Sequence, residues 1–474
     1  MNLSAAASFA QGVAAMSSGD LATAERLLRR AVALDRKNPD YLNKLGIANG
    51  ELGDFRAAEQ AFRRALKLRP AHAEAHHNLG KTLQKQGRLA EALKEFQRAH
   101  ALAPESLAHL LSVSTVQRQL GQPALALQAL RSTDPAHEVD LSPRLADCIA
   151  DVEGAEAAIA WLRELLARHP DAHPARYALG IHLLSLGHWR EGWALHAARA
   201  RPTSELPPAL PSRLDGRHIL LRAEYGLGDM LFFLRFAAEL EARGAKLALE
   251  CPAKLMPILT GRIEFGQAAG ADLELWIPDL PTALRAESTP PPFTLHAEQA
   301  RVAAARERLA RLGPPPYLGV TWRAGTDVLR GPELGTNLQL LSKEIPPALL
   351  RQALRGWPGT LLSLQRAPAP GETEGMHDFS AVNEDLRDAL ALLAVLDEYV
   401  AVSNTNIHLR AGIGRTARVL VPSPPEWRWM RSAEGSPWFP GFSVYRQPPS
   451  RDWSAPLRRL REDLLGGSPP RAPA

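Results

Sequence analysis

Through the first 130 residues, small and large apolar positions recur between polar stretches on a fixed frame of 34 residues. Gly12, Gly46, Gly80 and Ser114 share one column, and Gly19, Gly53, Gly87 and Gly121 a second. Ala24, Ala58, Ala92 and Ala126 form a third, and Leu28, Phe62, Phe96 and Leu130 a fourth. The pattern predicts antiparallel helix pairs: Gly53 and Gly87 end the first helix of a pair, Ala58 and Ala92 permit close crossing, and Pro70 and Pro104 close the second helix. After Leu130 the frame slips, and RSTDPAHEVDLSP reads as an irregular connection. Gly180 and Gly187 repeat the spacing of Gly46 and Gly53, so Pro143 to about Ala200 predicts further, divergent pairs that cap the stack.

These columns resemble the tetratricopeptide repeat, with PDYLNKLGIANGELGDFRAAEQAFRRALKLRP and AHAEAHHNLGKTLQKQGRLAEALKEFQRAHALAP as the cleanest copies. The resemblance implies an α solenoid whose concave face holds a protein or peptide partner.

RPTSELPPALPSRLDG is rich in proline and polar residues and reads as a linker. Beyond it the period changes. HILLR, the helical stretch GDMLFFLRFAAELEARG, AKLALEC, a helix around Pro252 to Leu259 and LELWI alternate as strand and helix. After TPPPF a second set follows: YLGVTW, the helix IPPALLRQALRG, TLLSLQ, the helix EDLRDALALLAVLD, YVAVS, a short helix after Asn406, and ARVLVP. Such alternation predicts parallel sheets covered by helices, an α/β fold in two Rossmann-like lobes with a cleft between them. The expected division is a solenoid over 1–201, a first lobe over 202–300 and a second over 301–474.

Candidate chemistry concentrates at predicted strand ends. In AEYGLGDMLFF a strand runs into a turn where Gly226 and Gly228 allow tight bending and close approach of a ligand, with Asp229 at or near a helix start. Asp229 alone also reads as a helix cap. In VSNTNIHLRAGIGRTARVLVP, Ser403, Asn404, Thr405 and Asn406 surround a helix start whose free amides suit a diphosphate, with His408 in the first turns. His408 reads equally as a structural histidine. Arg323 in TWRAGT and Lys343 in LSKEIPPALL are cations at strand or helix ends, or solvated surface charges. Trp427 and Trp429 offer stacking surfaces for a base or sugar, or core packing.

Together the two segments resemble the two-Rossmann-lobe (GT-B, heptosyltransferase-like) glycosyltransferases and the bacterial repeat-fused enzymes related to them, over about residues 185 to 465. The resemblance implies a nucleotide-sugar co-substrate, no bound cofactor and no metal, and transfer to a protein or glycan acceptor. It places the general base at Asp229 beside Gly228, and the diphosphate against Asn404, Thr405 and His408, with Lys343 or Arg323 neutralising the leaving group. It also implies that the last helical stretch, SAPLRRLREDLL, packs back across the lobes. Three departures stand out: Asn404 for the usual aspartate, Tyr225 for a common glutamine, and Arg410 where a small residue is usual. A non-catalytic repeat scaffold with a degenerate transferase region and a surface-polysaccharide transferase are the alternatives.

Composition narrows this picture only slightly. The 56 basic and 51 acidic residues leave a net charge of +5, without the basic stripe of a nucleic-acid binder. Cys148 and Cys251 are too few and too far apart for a disulfide framework or a zinc site, which fits a reducing, cytoplasmic setting. The N-terminal stretch does not read as a secretory signal, and no stretch is long enough to span a membrane.

Overall fold

The columns become helix-pair joints in the computed structural model, which describes residues 4–199, 207–224, 226–266, 270–324, 343–431 and 434–466. The chain forms two compact units, Met1–Cys148 and Ile149–Ala474. The division falls inside a helix, upstream of the proline-rich stretch that the sequence marks.

In the first unit, helices α1 (Ala5–Ser17), α2 (Leu21–Leu34), α3 (Pro39–Glu51), α4 (Phe55–Leu68), α5 (Ala73–Lys85), α6 (Leu89–Leu102), α7 (Leu107–Gln119) and α8 (Pro123–Arg131) pair in order. A Cβ at Gly46 would lie 2.5 Å from the Phe62 ring, and one at Gly80 2.8 Å from Phe96, so the small residue seats the large one sixteen positions on. Gly53 and Gly87 take left-handed φ values of 85° and 75°, which glycine adopts without strain. Asp20 and Asp54 cap α2 and α4 by accepting from the Thr23 and Ala57 amides.

The connection after Leu130 is shorter than expected. Helix α9 spans Glu138–Val152, with Pro143 inside it. Proline leaves the Val139 carbonyl without its usual amide donor, and the Ser142 hydroxyl takes that carbonyl at 2.7 Å. Helices α10 (Ala155–Arg168), α11 (His173–Ser185) and α12 (Trp189–His196) continue the pairing in the second unit. At Gly180 the sixteen-residue partner is His196, whose backbone nitrogen would lie 2.8 Å from an added Cβ.

Two sheets follow. The first contains β1 (His218–Arg222), β2 (Lys246–Glu250), β3 (Glu264–Phe265) and β4 (Leu273–Trp276), all parallel in the order β3-β2-β1-β4. A short antiparallel pair, β6 (Arg323–Ala324) and β7 (Lys343–Glu344), follows β5 (Tyr317–Thr321). With β8 (Thr360–Ser363), β9 (His377–Asp378), β10 (Glu398–Val402), β11 (Arg418–Val421) and β12 (Ser443–Arg446), β5 builds the second sheet in the parallel order β12-β11-β10-β5-β8-β9. Both orders reverse direction once, between β1 and β4 and between β5 and β10, and ligands of open α/β sheets collect at the carboxyl ends beside such reversals.

Buried side chains from α11, α12 and both sheets form one core, in which Leu184 and Trp193 join Phe232, Phe233, Trp427 and Trp438. The expected long helix after β1 breaks instead into α13 (Leu227–Phe233), a 3-10 turn over Leu234–Phe236 and a helix over Ala237–Ala242. Arg235, in that turn, donates to the Phe232 carbonyl at 2.9 Å, competing with regular helical bonding. The helix expected over Pro252 to Leu259 is a single turn, Met256–Leu259. The final helix, Ser454–Leu465, packs on the Pro347–Ala353 helix and β12, both elements of the second sheet's layer, rather than across both lobes.

Candidate functional site

The loop after β1 and the loop after β10 meet. Gly226 caps α13 with φ −80°, an ordinary extended value, and Asp229 is the third residue of the helix rather than its cap. Neither Gly226 nor Gly228 has a positive φ. What Gly228 provides is proximity: a Cβ there would lie 3.1 Å from His408 Cδ2 and 3.4 Å from Thr405 Cα. The segments that follow β1 and β10 therefore come into direct contact at Gly228.

On the second lobe, Asn404 caps the Thr405–Gly412 helix by accepting from the Ile407 amide at 3.1 Å, and its Nδ2 donates to the Tyr399 hydroxyl at 3.2 Å. Asparagine thus performs the capping that an aspartate would perform. The Thr405 and Asn406 amides, at the first turn, have no partner within the helix. Asn406 is spent on Asn383, donating at 3.3 Å, and Ser403 is buried. Burial, with the charges of Arg428, Arg235 and Lys343 nearby, pushes the His408 imidazole well below its ordinary range, so it is neutral near pH 7.

Two members of the charged centre, Glu426 and Arg428, lie in a segment where the sequence points only to tryptophans. Asp229 pairs with Arg428 at 2.5 Å, Arg428 lies 3.9 Å from Glu426, and Glu426 pairs with Lys343 at 2.6 Å. Four groups of alternating sign thus run from the first lobe to the second. Burial alone would raise the Glu426 carboxyl, but Lys343 and Arg428, with hydrogen bonds from Lys343 and Ser403, outweigh it and hold it at about 2. Rings of Phe232 and Trp427, 4.6 and 4.9 Å from the Arg428 guanidinium, fix its plane. Trp427 and Trp429 themselves face inward: Trp429 stacks on Phe439 with centroids 4.7 Å apart, and Trp427 packs edge-on to Trp193, Phe232 and Trp438. The Trp427–Trp429 segment is a 3-10 turn, with both tryptophans buried in the core while Glu426 and Arg428 carry the charges.

Arg323 stands apart from this chain. Its guanidinium pairs with Glu372 at 3.0 Å and donates to the Ala367 carbonyl at 3.3 Å. Arg410 is buried and donates to the backbone carbonyls of Thr416, Leu393, Leu396 and Asp397, a structural anchor. Tyr225 lies outside the described residues.

The last repeat reaches the same place. Helix α11 packs against the Trp427–Trp429 turn, and burial pushes the Tyr177 phenol upward, with Arg199 and Arg428 pulling it down and Asp229 and Glu224 pushing it up. The Tyr177 and His196 rings are 5.6 Å apart, and Arg199 pairs with Glu224 and Asp279 at 2.8 and 2.5 Å. Sequence reasoning missed Arg428, Glu426 and Tyr177. The EWRW alternation of charge and aromatic ring was the one available sign of the first two.

Comparison with known proteins agrees on the repeats. The family described as tetratricopeptide repeat matches residues 43–106 and 77–137. Protein FlbA of Caulobacter vibrioides is 24% identical over 339 residues, which is 61% of this chain, and the chain spans about half (54%) of that relative's length. Among solved structures, MamA is 19% identical with a TM-score of 0.32, over 35% of this chain and 92% of that one. The first repeat domain of Spaghetti (RPAP3), bound to an HSP90 peptide, is 21% identical with a TM-score of 0.24, over 24% of this chain and 92% of that one. The N-terminal region therefore carries tetratricopeptide repeats, followed by an α/β region of two parallel sheets. Among the described residues no helix is long and apolar enough to cross a membrane.

Proposed function

We propose that the chain is a cytoplasmic GT-B glycosyltransferase whose repeats recruit a protein or peptide acceptor. The observation that carries this reading is the meeting of Gly228 with Thr405 and His408, beside the Asp229–Arg428 pair, at the reversal points of two parallel sheets. Asp229 takes the proton of the acceptor hydroxyl. The Thr405 and Asn406 amides, with Arg428 and Lys343, stabilise the departing nucleoside diphosphate. Neutral His408 packs under Gly228 and shapes the floor rather than moving the proton.

A nucleotide-sugar panel tests the reading. One donor should release its nucleoside diphosphate in the presence of acceptor, and Asp229→Ala should abolish release while sparing nucleotide binding. Full turnover by that variant would remove the base assignment. Deletion of residues 1–130 separates acceptors: transfer to protein should collapse, whereas transfer to a small glycan would point to polysaccharide assembly.

A further inference from the structure

The four charges between the lobes sum to zero, which poses a problem for a site that is to hold a diphosphate. Lys343 is closed by Glu426 at 2.6 Å, and Arg428 by Asp229 at 2.5 Å. A dianion entering this centre finds both cations taken. Yet the closure is incomplete: Arg428 Nε and Glu426 Oε2 are buried without a hydrogen-bond partner among the described residues. Arg428 therefore keeps unspent donor capacity, held in a fixed plane by Phe232 and Trp427. A guanidinium so placed can take two oxygens of a phosphate, which a single carboxylate contact at NH2 does not use.

We infer that Asp229 and an incoming diphosphate compete for Arg428, so that donor binding releases the carboxylate. Asp229 is the member positioned to yield. Its side chain is 35% exposed against 19% for Glu426, so water takes over its hydration at the lower cost. The exchange rests on the reading of Asp229 as base, and it orders the reaction: with the donor absent, the carboxylate is held by Arg428, and with the donor present it is free to accept a proton. Arg428 is thus a positioning residue for Asp229 as well as an anion-binding one.

Calorimetry of the full-length protein with inorganic pyrophosphate tests the competition. Asp229→Asn should bind pyrophosphate roughly three- to fivefold more tightly than wild type, the size expected from a partly exposed ion pair. Arg428→Gln should weaken binding, and in the double variant the gain from Asp229→Asn should vanish. Removal of a nearby negative charge would by itself help any anion, so a gain that survives in the Arg428→Gln background overturns the competition, as does an Asp229→Asn protein that binds no more tightly than wild type. Absence of pyrophosphate binding in all four proteins would overturn both the competition and the nucleotide-sugar reading. Wild-type binding with no gain in Asp229→Asn removes the competition alone.

Discussion

Gly228 of the first lobe lies against His408 of the second so closely that a methyl group at 228 would sit 3.1 Å from the imidazole Cδ2. This contact joins the two sheets at the candidate site, and its consequences can be measured optically. All ten tryptophans, from Trp161 to Trp453, lie beyond residue 148, so their fluorescence reports the second unit alone.

Gly228→Val should lower the stability of that unit by about 1–3 kcal/mol, the usual cost of forcing volume into a packed contact. Urea unfolding followed by tryptophan fluorescence measures it. A midpoint equal to wild type would mean that the lobes part without cost.

In the repeats, Gly46→Ala places a Cβ 2.5 Å from Phe62, an overpacked contact that should cost about 1–3 kcal/mol. Phe62→Leu in the same chain should recover part of the loss, because it shortens the side chain that the methyl strikes. Gly53→Ala meets no neighbour but must hold a φ of 85°, and should cost about 1 kcal/mol with no rescue by Phe62→Leu. Hydrogen exchange of α3 and α4 amides distinguishes the two mechanisms.

Asn404→Ala should cost about 1 kcal/mol through loss of the helix cap, and Asn404→Asp almost nothing, since aspartate caps equally well. Thermal unfolding read by tryptophan fluorescence is the check. Equal losses in both variants would show that the bond to the Tyr399 hydroxyl, which aspartate cannot donate, matters more than the cap.

Acid should loosen the lobes in a defined window. Glu426 sits at about 2 against an ordinary 4.5, so its ion pairs contribute full stability above pH 4.5 and lose it progressively as pH falls towards 2. His408 acts in the same direction from a higher start. Its depressed value means that stability declines as pH drops below 6.5, where the unfolded chain takes up a proton that the folded one resists. Glu426→Gln should flatten only the decline below pH 4.5, whereas His408→Gln should flatten the decline that starts below 6.5, in fluorescence-monitored unfolding from pH 7 to 3.

The solenoid was legible because each joint is a pair of columns, a small residue and the bulky one sixteen positions later, and this survives in Gly46–Phe62 and Gly80–Phe96. Longer strands were legible from their apolar runs. Strand β12 was not, because Ser443–Arg446 lies inside an aromatic stretch whose rings mask its alternation, and β3 and β9 are two residues each. At the site, strand-end position pointed to Asp229 and to Ser403 through Asn406. Trp427 and Trp429 drew attention by size, whereas the polar neighbours Glu426 and Arg428 hold the charges, a division whose one sign in the sequence is the EWRW alternation.

Arg235 carries a mechanical consequence. Among the described residues its buried guanidinium has no carboxylate as a hydrogen-bond partner, and it donates to the Pro290 carbonyl at 3.3 Å and the Trp438 carbonyl at 3.0 Å, with burial and the nearby Arg428 charge bringing it down to about 9. Pulling the sheets apart would break the bond to the Trp438 carbonyl while returning the cation to water. The bond from Arg235 to Trp438 is therefore one latch between the sheets, and any hinge opening that admits or expels a ligand must undo it.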